Sequence, residues 1–247
     1  MIEIPVLAAF VAFCRIGSCF MLMPGLSSVR VPMNIRLFVA AAVTFALLAH
    51  LWDRIIPVVD RRPAILVPLI ASEILIGALI GLMARFYVLA LQFIGAAIAM
   101  LSGFGGTPGP GIEEQDPQAP LAAIISLSAL LLLFIFDFHH QIVFALVQSY
   151  DFAPVRGIFD MQGALTDLTD TLSEAFMVVL RLGSPFIAYA ILVNLATGFV
   201  NKLAPQIPVY FISMPFVIAG ALILAYFSIG TMISLFADGF YAVTIGR

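Results

Sequence analysis

The chain has 247 residues, of which 63% are apolar and 10% are charged, whereas soluble globular domains are roughly 45–50% apolar and about 25% charged. This composition excludes a soluble enzyme, a disordered tail and a coiled coil. The 11 Lys and Arg residues face 14 Asp and Glu, and the only lysine is Lys202, so the sequence offers no basic surface for nucleic acid. The sequence therefore predicts an integral membrane protein.

Six apolar blocks follow one another along the chain. A transmembrane helix needs about 20 mostly apolar residues, so we expect roughly five to seven helical passes. The runs are continuously apolar and lack the alternation of barrel strands, which favours helices. The third block is too long for one span and too short for two ordinary spans joined by a turn. The blocks lie at 4–24, 37–52, 64–101, 119–150, 175–200 and 207–237.

The joints between these blocks are rich in glycine, proline or charge, as loops are. No internal repeat and no soluble segment stand out, so we expect a single membrane-embedded domain over residues 1–247. The joints lie at 24–32, 53–63, 103–111, 150–174 and 201–208.

Arginines cluster around the first two joints, which would lie on opposite sides of the membrane if each of the first two blocks spanned it. The positive-inside rule therefore gives no consistent orientation. Two explanations stay open: re-entrant helical hairpins, or a chain buried among partner subunits. Both point to an assembly or a pathway, because irregular backbone at membrane depth needs protein or a water-filled cavity around it. These arginines are Arg30, Arg36, Arg54, Arg61 and Arg62.

Several ionisable side chains interrupt the blocks, and each costs several kcal/mol in hydrocarbon unless it is paired or hydrated. Glu73 and Arg85 are too far apart to pair along one straight helix, so each needs a partner from elsewhere. Gly77 and Gly81 form a GxxxG pattern that lets another backbone approach closely. The charges are either buried pairs that fix helix packing or part of a transport route such as a proton relay. The set is Arg15, Glu73, Arg85, Asp137, His139, His140 and Arg181.

Asp137, His139 and His140 have metal-ligating side chains. On a continuous helix their spacing would make them diverge around the axis, so we predict no metal site. The flanking Phe134 and Phe136 are typical of an interfacial aromatic belt. The sequence therefore predicts a polar helix end or a helix break at the membrane interface.

The glycine-rich joint is followed by an acidic stretch. It lacks the Gly-Lys-Ser/Thr ending of a phosphate-binding loop, so no nucleotide site is predicted. Glycine and proline at this density specify an irregular loop, which is either a simple connector or a gate or plug in a cavity. Its residues of interest are Gly103, Phe104, Gly105, Gly106, Pro108, Gly109, Gly111, Glu113, Glu114, Asp116 and Pro117.

No combination of a nucleophile and a base is visible. Ser102 lacks a GxSxG frame, and His50, His139 and His140 have no motif that links them to an activated Ser or Cys. We expect neither catalysis nor a cofactor.

The order and spacing of several short motifs resemble the FliR family, the flagellar type III export-gate component, whose injectisome counterparts are close relatives. The resemblance covers nearly the whole chain. The motifs are Arg15 to Pro24, Pro32, Arg36, Glu73 to Gly77, Gly81, Gln92 to Gly95, Gly103-Phe104, Asp116-Pro117, Asp137 to His140, Ser149, Pro154, Gly198 to Val209 with Pro205-Gln206, and Met214-Pro215.

The sequence departs from the family pattern in two places. Pro208 stands where the family usually has Asn, and Phe216 and Val217 stand where it commonly has a Lys. No role of that polar pair is therefore carried over.

The resemblance implies a helical, ring-like gate in the bacterial inner membrane at the flagellar basal body. FliP and FliQ would be neighbouring subunits, and FlhB and FlhA further partners. Residues 103–119 would match the family loop that projects into the central channel, through which unfolded export substrates pass. Two alternatives stay open: an injectisome homologue, and an ion-coupled secondary transporter that uses Glu73, Arg85 and Asp137.

Overall fold

The computed structural model describes residues 3–28, 30–104, 119–155 and 161–245, and the regular structure in these ranges is helical, with no strand. The prediction of an all-α integral membrane protein is confirmed. The helices are α1 (Glu3–Leu22), α2 (Met33–Ile55), α3 (Pro63–Leu101), α4 (Pro120–Ile135), α5 (Phe138–Phe152), α6 (Met161–Leu203) and α7 (Val209–Ile245), with one 3₁₀ turn at Ile56–Val58.

Five helices among the described residues are long and apolar enough to cross a membrane: α1, α2 with its 3₁₀ turn, α3, α6 and α7. The pair α4 and α5 would form a sixth span, bent by 60° at its break. This number falls within the predicted range of passes.

The third apolar block forms one continuous helix of 39 residues, α3. At 1.5 Å per residue it is about 58 Å long, nearly twice the roughly 30 Å hydrocarbon core. Pro63 is its first residue, where a missing N–H disturbs a helix least, and its one internal proline, Pro68, lies in the second turn. No proline after Pro68 forces the turn that the length of the block suggests.

The predicted joint at 150–174 is wrong at both ends. Helix α5 continues to Phe152, and α6 begins at Met161. The first turns of α6 are polar yet helical, and their threonine hydroxyls find acceptors in carbonyls one turn earlier: Thr166 in Gln162 at 2.9 Å and Thr171 in Asp167 at 2.7 Å. Polar composition alone is therefore no sign of a loop here.

The chain divides into two compact units. The first comprises Met1–Val88, Leu133–Ser173 and Val243–Arg247, and the second comprises Leu89–Leu132 and Glu174–Ala242. The buried core of the first unit includes Val11, Ile16, Leu51, Ile55, Ile142 and Leu146. That of the second includes Ile94, Ile98, Val179, Leu182, Phe186 and Ala190.

Helix α3 ends in a Schellman motif at the start of the glycine-rich joint. The N–H of Gly103 donates to the carbonyl of Met100 at 3.2 Å, and that of Phe104 donates to Ala99 at 2.9 Å. Gly103 has φ +83°, a left-handed conformation that costs an L residue about 1–2 kcal/mol. Gly103 therefore ends the helix. The rest of the predicted gate segment, from Gly105 to Pro117, lies outside the described residues.

We expect Gly103→Ala to lower the free energy of unfolding by about 1 kcal/mol, because Ala resists a positive φ. The matched control is Gly198→Ala in α6, where an added Cβ meets nothing within 4 Å. That change should raise stability by up to about 1 kcal/mol, since Ala favours a helix over Gly. Both variants of the full chain are unfolded in detergent and followed by circular dichroism. Equal effects of the same sign would contradict the capping role.

Candidate functional site

Helix α1 places a charged residue in the middle of its buried face. Its buried residues recur at helical spacing, which marks one stripe turned toward the core. Arg15 lies on this stripe and is 0% exposed, as is Glu73 on α3. The stripe consists of Ala8, Val11, Ala12, Arg15, Ile16 and Cys19.

Arg15 and Glu73 form a two-pronged ion pair. Nε of Arg15 donates to Oε2 of Glu73 at 2.7 Å, and Nη2 donates to Oε1 at 2.7 Å. This fork-to-fork geometry is the strongest that a guanidinium and a carboxylate can adopt. The structure thus joins two of the predicted intramembrane charges, which are 58 residues apart in sequence.

Helix α5 supplies the remaining partners of Arg15. Nη1 donates to the Ser149 hydroxyl at 3.0 Å, and Nη2 also donates to the Ala153 carbonyl at 2.9 Å. The guanidinium carbon lies 3.9 Å from the centre of the Tyr150 ring, close enough for a cation–π interaction. Helices α1, α3 and α5 therefore meet at one side chain.

Two glycines let α1 and α3 cross at close range beside the pair. A Cβ on Gly77 would lie 1.9 Å from the Arg15 carbonyl oxygen, and one on Gly81 would lie 2.6 Å from the Cys19 carbonyl oxygen. Any side chain at Gly77 would push the helices apart. The GxxxG pattern of α3 thus faces α1, and the same contact brings Glu73 within reach of Arg15.

The arrangement can hold helices together but is poorly suited to moving protons. Both carboxylate oxygens of Glu73 accept from a guanidinium that stays protonated in proteins. Burying two charges costs desolvation free energy, which their mutual attraction and further hydrogen bonds offset only in good geometry. The geometry thus favours a structural pair over a proton relay.

The other predicted intramembrane residues do not join this cluster. Arg85 is half-buried on α3, and Arg181 is exposed on α6. Pro205 and Gln206 are exposed in the turn between α6 and α7. Their predicted roles in packing or partner contact stay predictions.

At the break between α4 and α5, the side chains of Asp137, His139 and His140 lie close together, whereas on a continuous helix they were expected to diverge around the axis. Asp137 has φ 55° and ψ 33°, so it lies outside helical geometry. Its Oδ1 lies 3.3 Å from Nδ1 of His140, and the rings of His139 and His140 are 4.2 Å apart. One ligand atom from each of the three residues lies within 4.8 Å of the others.

Sequence reasoning missed the residues of α5 that surround Arg15. In the sequence, Ser149 stands out only as part of a family motif, and no pattern marks Tyr150 or Ala153. A serine and a tyrosine at the end of an apolar block were the only available signal. A main-chain carbonyl such as that of Ala153 leaves no trace in a sequence.

In the second unit, a small cavity of about 130 Å³ lies among residues of α3, α6 and α7. Its wall combines apolar side chains such as Met100 and Met214 with the polar Asn194, Thr197 and Ser213. Nearby, the Tyr189 hydroxyl donates to the Val217 carbonyl at 2.8 Å and ties α6 to α7. This cavity holds no cluster of charged or nucleophilic groups.

Comparison with known proteins yields a consistent set of relatives. The family described as "Bacterial export proteins, family 1" matches residues 6–243. The flagellar biosynthetic protein FliR of Caulobacter vibrioides is 28% identical over 89% of this chain and 88% of its own. FliR of Escherichia coli is 30% identical over 78% and 72%, respectively. The Yop proteins translocation protein T of Yersinia pestis is 23% identical over 92% and 88%.

We expect Arg15→Met or Glu73→Leu alone to lower the free energy of unfolding by about 3–5 kcal/mol, because each leaves a buried charge unpaired. The double variant should recover at least about half of this loss, since it removes both charges. The measurement is denaturation of the purified full chain in detergent.

The control for these variants is Arg54→Ala. Its ion pair with Asp151 also spans 2.7 Å, but the two side chains are 39% and 59% exposed. Its loss should change stability by no more than about 1 kcal/mol. A double variant as unstable as the sum of the two single variants would refute the buried pairing.

Proposed function

The chain belongs to family 1 of the bacterial export proteins and is a FliR family member, and we propose that it is a non-enzymatic subunit of a flagellar type III protein export gate. The observation that carries the proposal is similarity to FliR proteins along most of the chain, at the coverage reported above. The all-α membrane fold is consistent with this role.

As partners we propose proteins of the FliP, FliQ, FlhB and FlhA types, in the inner membrane at the flagellar basal body. Together with FliP and FliQ, the whole of residues 1–247 would form one membrane-embedded part of a channel for unfolded flagellar substrates.

The exposed apolar surface of α6 supports such an assembly. Large exposed apolar side chains run along this helix from Leu165 to Leu203. At 1.5 Å per residue the helix path of this stretch is about 57 Å long, nearly twice the roughly 30 Å hydrocarbon core. An apolar row of this length supports the presence of protein neighbours in addition to lipid.

Helix α7 also exposes most of its apolar residues. Only 6% of its most apolar 18-residue stretch is buried within the chain, compared with 50% of the corresponding stretch of α1. Helix α1 thus belongs to the interior of the chain, whereas α7 is available to lipid and to neighbouring subunits.

The direct test is deletion of the gene in its own host, followed by complementation with an affinity-tagged chain. We expect loss of the flagellar filament and of secreted flagellar proteins, with rescue by the tagged chain. FliP-type and FliQ-type proteins should co-purify with it. Normal filaments in the deletion strain would contradict a flagellar role.

A second candidate is the corresponding subunit of an injectisome. The observation that favours it is the similarity to the Yop translocation protein across 92% of this chain. The same deletion strain distinguishes the two, because loss of an injectisome subunit would leave the filaments intact and abolish secretion of virulence proteins. Loss of a secondary transporter would affect neither filaments nor secretion, and the isolated chain would bind a small solute.

For the segment from Gly103 to Pro117 we propose the role of a seal in the channel, as the family resemblance implies. Deletion of residues 105–111 should leave assembly intact but make cells permeable to ions. A variant with these residues replaced by an equally long Gly/Ser stretch is the control for segment length. Membrane potential is measured with a voltage-sensitive dye. Unchanged ion permeability with a normally assembled complex would contradict the sealing role.

A further inference from the structure

The break between α4 and α5 holds one carboxylate and two imidazole side chains in an otherwise apolar span. Among the described residues, Asp137 is the only non-glycine residue with a positive φ. It is followed at once by the first turn of α5, which carries His139 and His140. The side chains of Asp137 and His140 are 69% and 74% exposed, so nothing else in this chain blocks the approach of an ion to them.

The distances suit coordination by a small metal ion. Ligand atoms of the three residues all lie within 4.8 Å of one another. In a tetrahedral site with bonds of about 2.0–2.1 Å, neighbouring ligand atoms are roughly 3.3–3.4 Å apart. The Asp137 carboxylate and the His140 ring nitrogen already stand 3.3 Å apart.

An unpartnered nitrogen supplies a second observation. Nδ1 of His139 is shielded from solvent and has no hydrogen-bond partner. An unsatisfied buried polar atom costs about 1–3 kcal/mol. Although the ring of His139 lies near Phe134, with centroids 6.0 Å apart, that contact offers the nitrogen no proton and no acceptor. A metal ion would give this imidazole a partner.

We propose that Asp137, His139 and His140 bind one divalent transition-metal ion of the zinc class. Two imidazoles and one carboxylate favour zinc over calcium or magnesium, which prefer oxygen ligands. Three protein ligands leave a fourth position for water. The bound ion would neutralise Asp137 and fix the residue before α5 to its first turn. This proposal replaces the prediction that no metal binds here, because the premise of that prediction was a continuous helix.

The test uses the full chain, co-expressed with its neighbouring export-apparatus membrane proteins and purified in detergent by a tag without histidines. After treatment with EDTA, Co²⁺ is added, and the visible d–d absorption of tetrahedral Co²⁺ is recorded. Zinc content after reconstitution is measured by elemental mass spectrometry. We expect one ion per chain.

Two variants remove ligands by different means. Asp137→Asn removes the charge but keeps a residue that tolerates a left-handed backbone, and His139→Ala with His140→Ala removes both imidazoles. Each should weaken Co²⁺ binding by at least about tenfold, because even changes beyond the direct ligands cost 10–100-fold. His50→Ala on α2 is the matched control and should bind like the wild type.

Two results would overturn the proposal. One is a wild-type chain that takes up no Co²⁺ or zinc. The other is equal binding by the wild type and by folded ligand variants, as judged by circular dichroism and elution volume. Because Asp137→Asn preserves the local backbone preference, it keeps the test valid if the histidine variant fails to fold.

Discussion

The fold of the first unit depends on one interaction, the buried ion pair between Arg15 and Glu73. A guanidinium in an apolar core is tolerated only when its donors are used, and here a carboxylate, a hydroxyl and a carbonyl accept them. The acceptors come from α3 and from the C-terminal end of α5. A shift of α1 against α3 would separate the two charges, and a shift against α5 would break the hydrogen bonds to Ser149 and Ala153. Gly77 makes the arrangement possible by removing the side chain that would hold α1 away.

Within the first unit, the buried charges of Arg15 and Glu73 are paired with each other. In contrast, α6 carries a long row of exposed apolar side chains, and only 6% of the most apolar part of α7 is buried within the chain. This surface supports the proposal that the chain is one component of an export assembly, in which neighbouring proteins would cover part of it.

The all-α membrane character and most helix positions follow from the sequence, because long apolar runs in a membrane have few alternatives to a helix. The start of α6 does not, because polar side chains are typical of loops, whereas here they lie on a helix and its threonine hydroxyls donate to main-chain carbonyls of the same helix. The partner of Arg15 could not be predicted from the sequence either. An ion pair between residues 58 positions apart depends on how the helices cross, which a single sequence does not specify. The helix break at Asp137 was predicted and is present, but the left-handed backbone that brings its carboxylate close to His140 could not be inferred from the sequence.

Photo-crosslinking in living cells would show whether the exposed apolar surface binds other export proteins. A photoreactive amino acid replaces Leu203, which ends α6 with 86% of its surface exposed. We expect an ultraviolet-dependent crosslink to another membrane protein of the export apparatus, and its loss when the other flagellar export genes are deleted. An unchanged crosslinking pattern in cells without those genes would show that this surface does not bind export proteins.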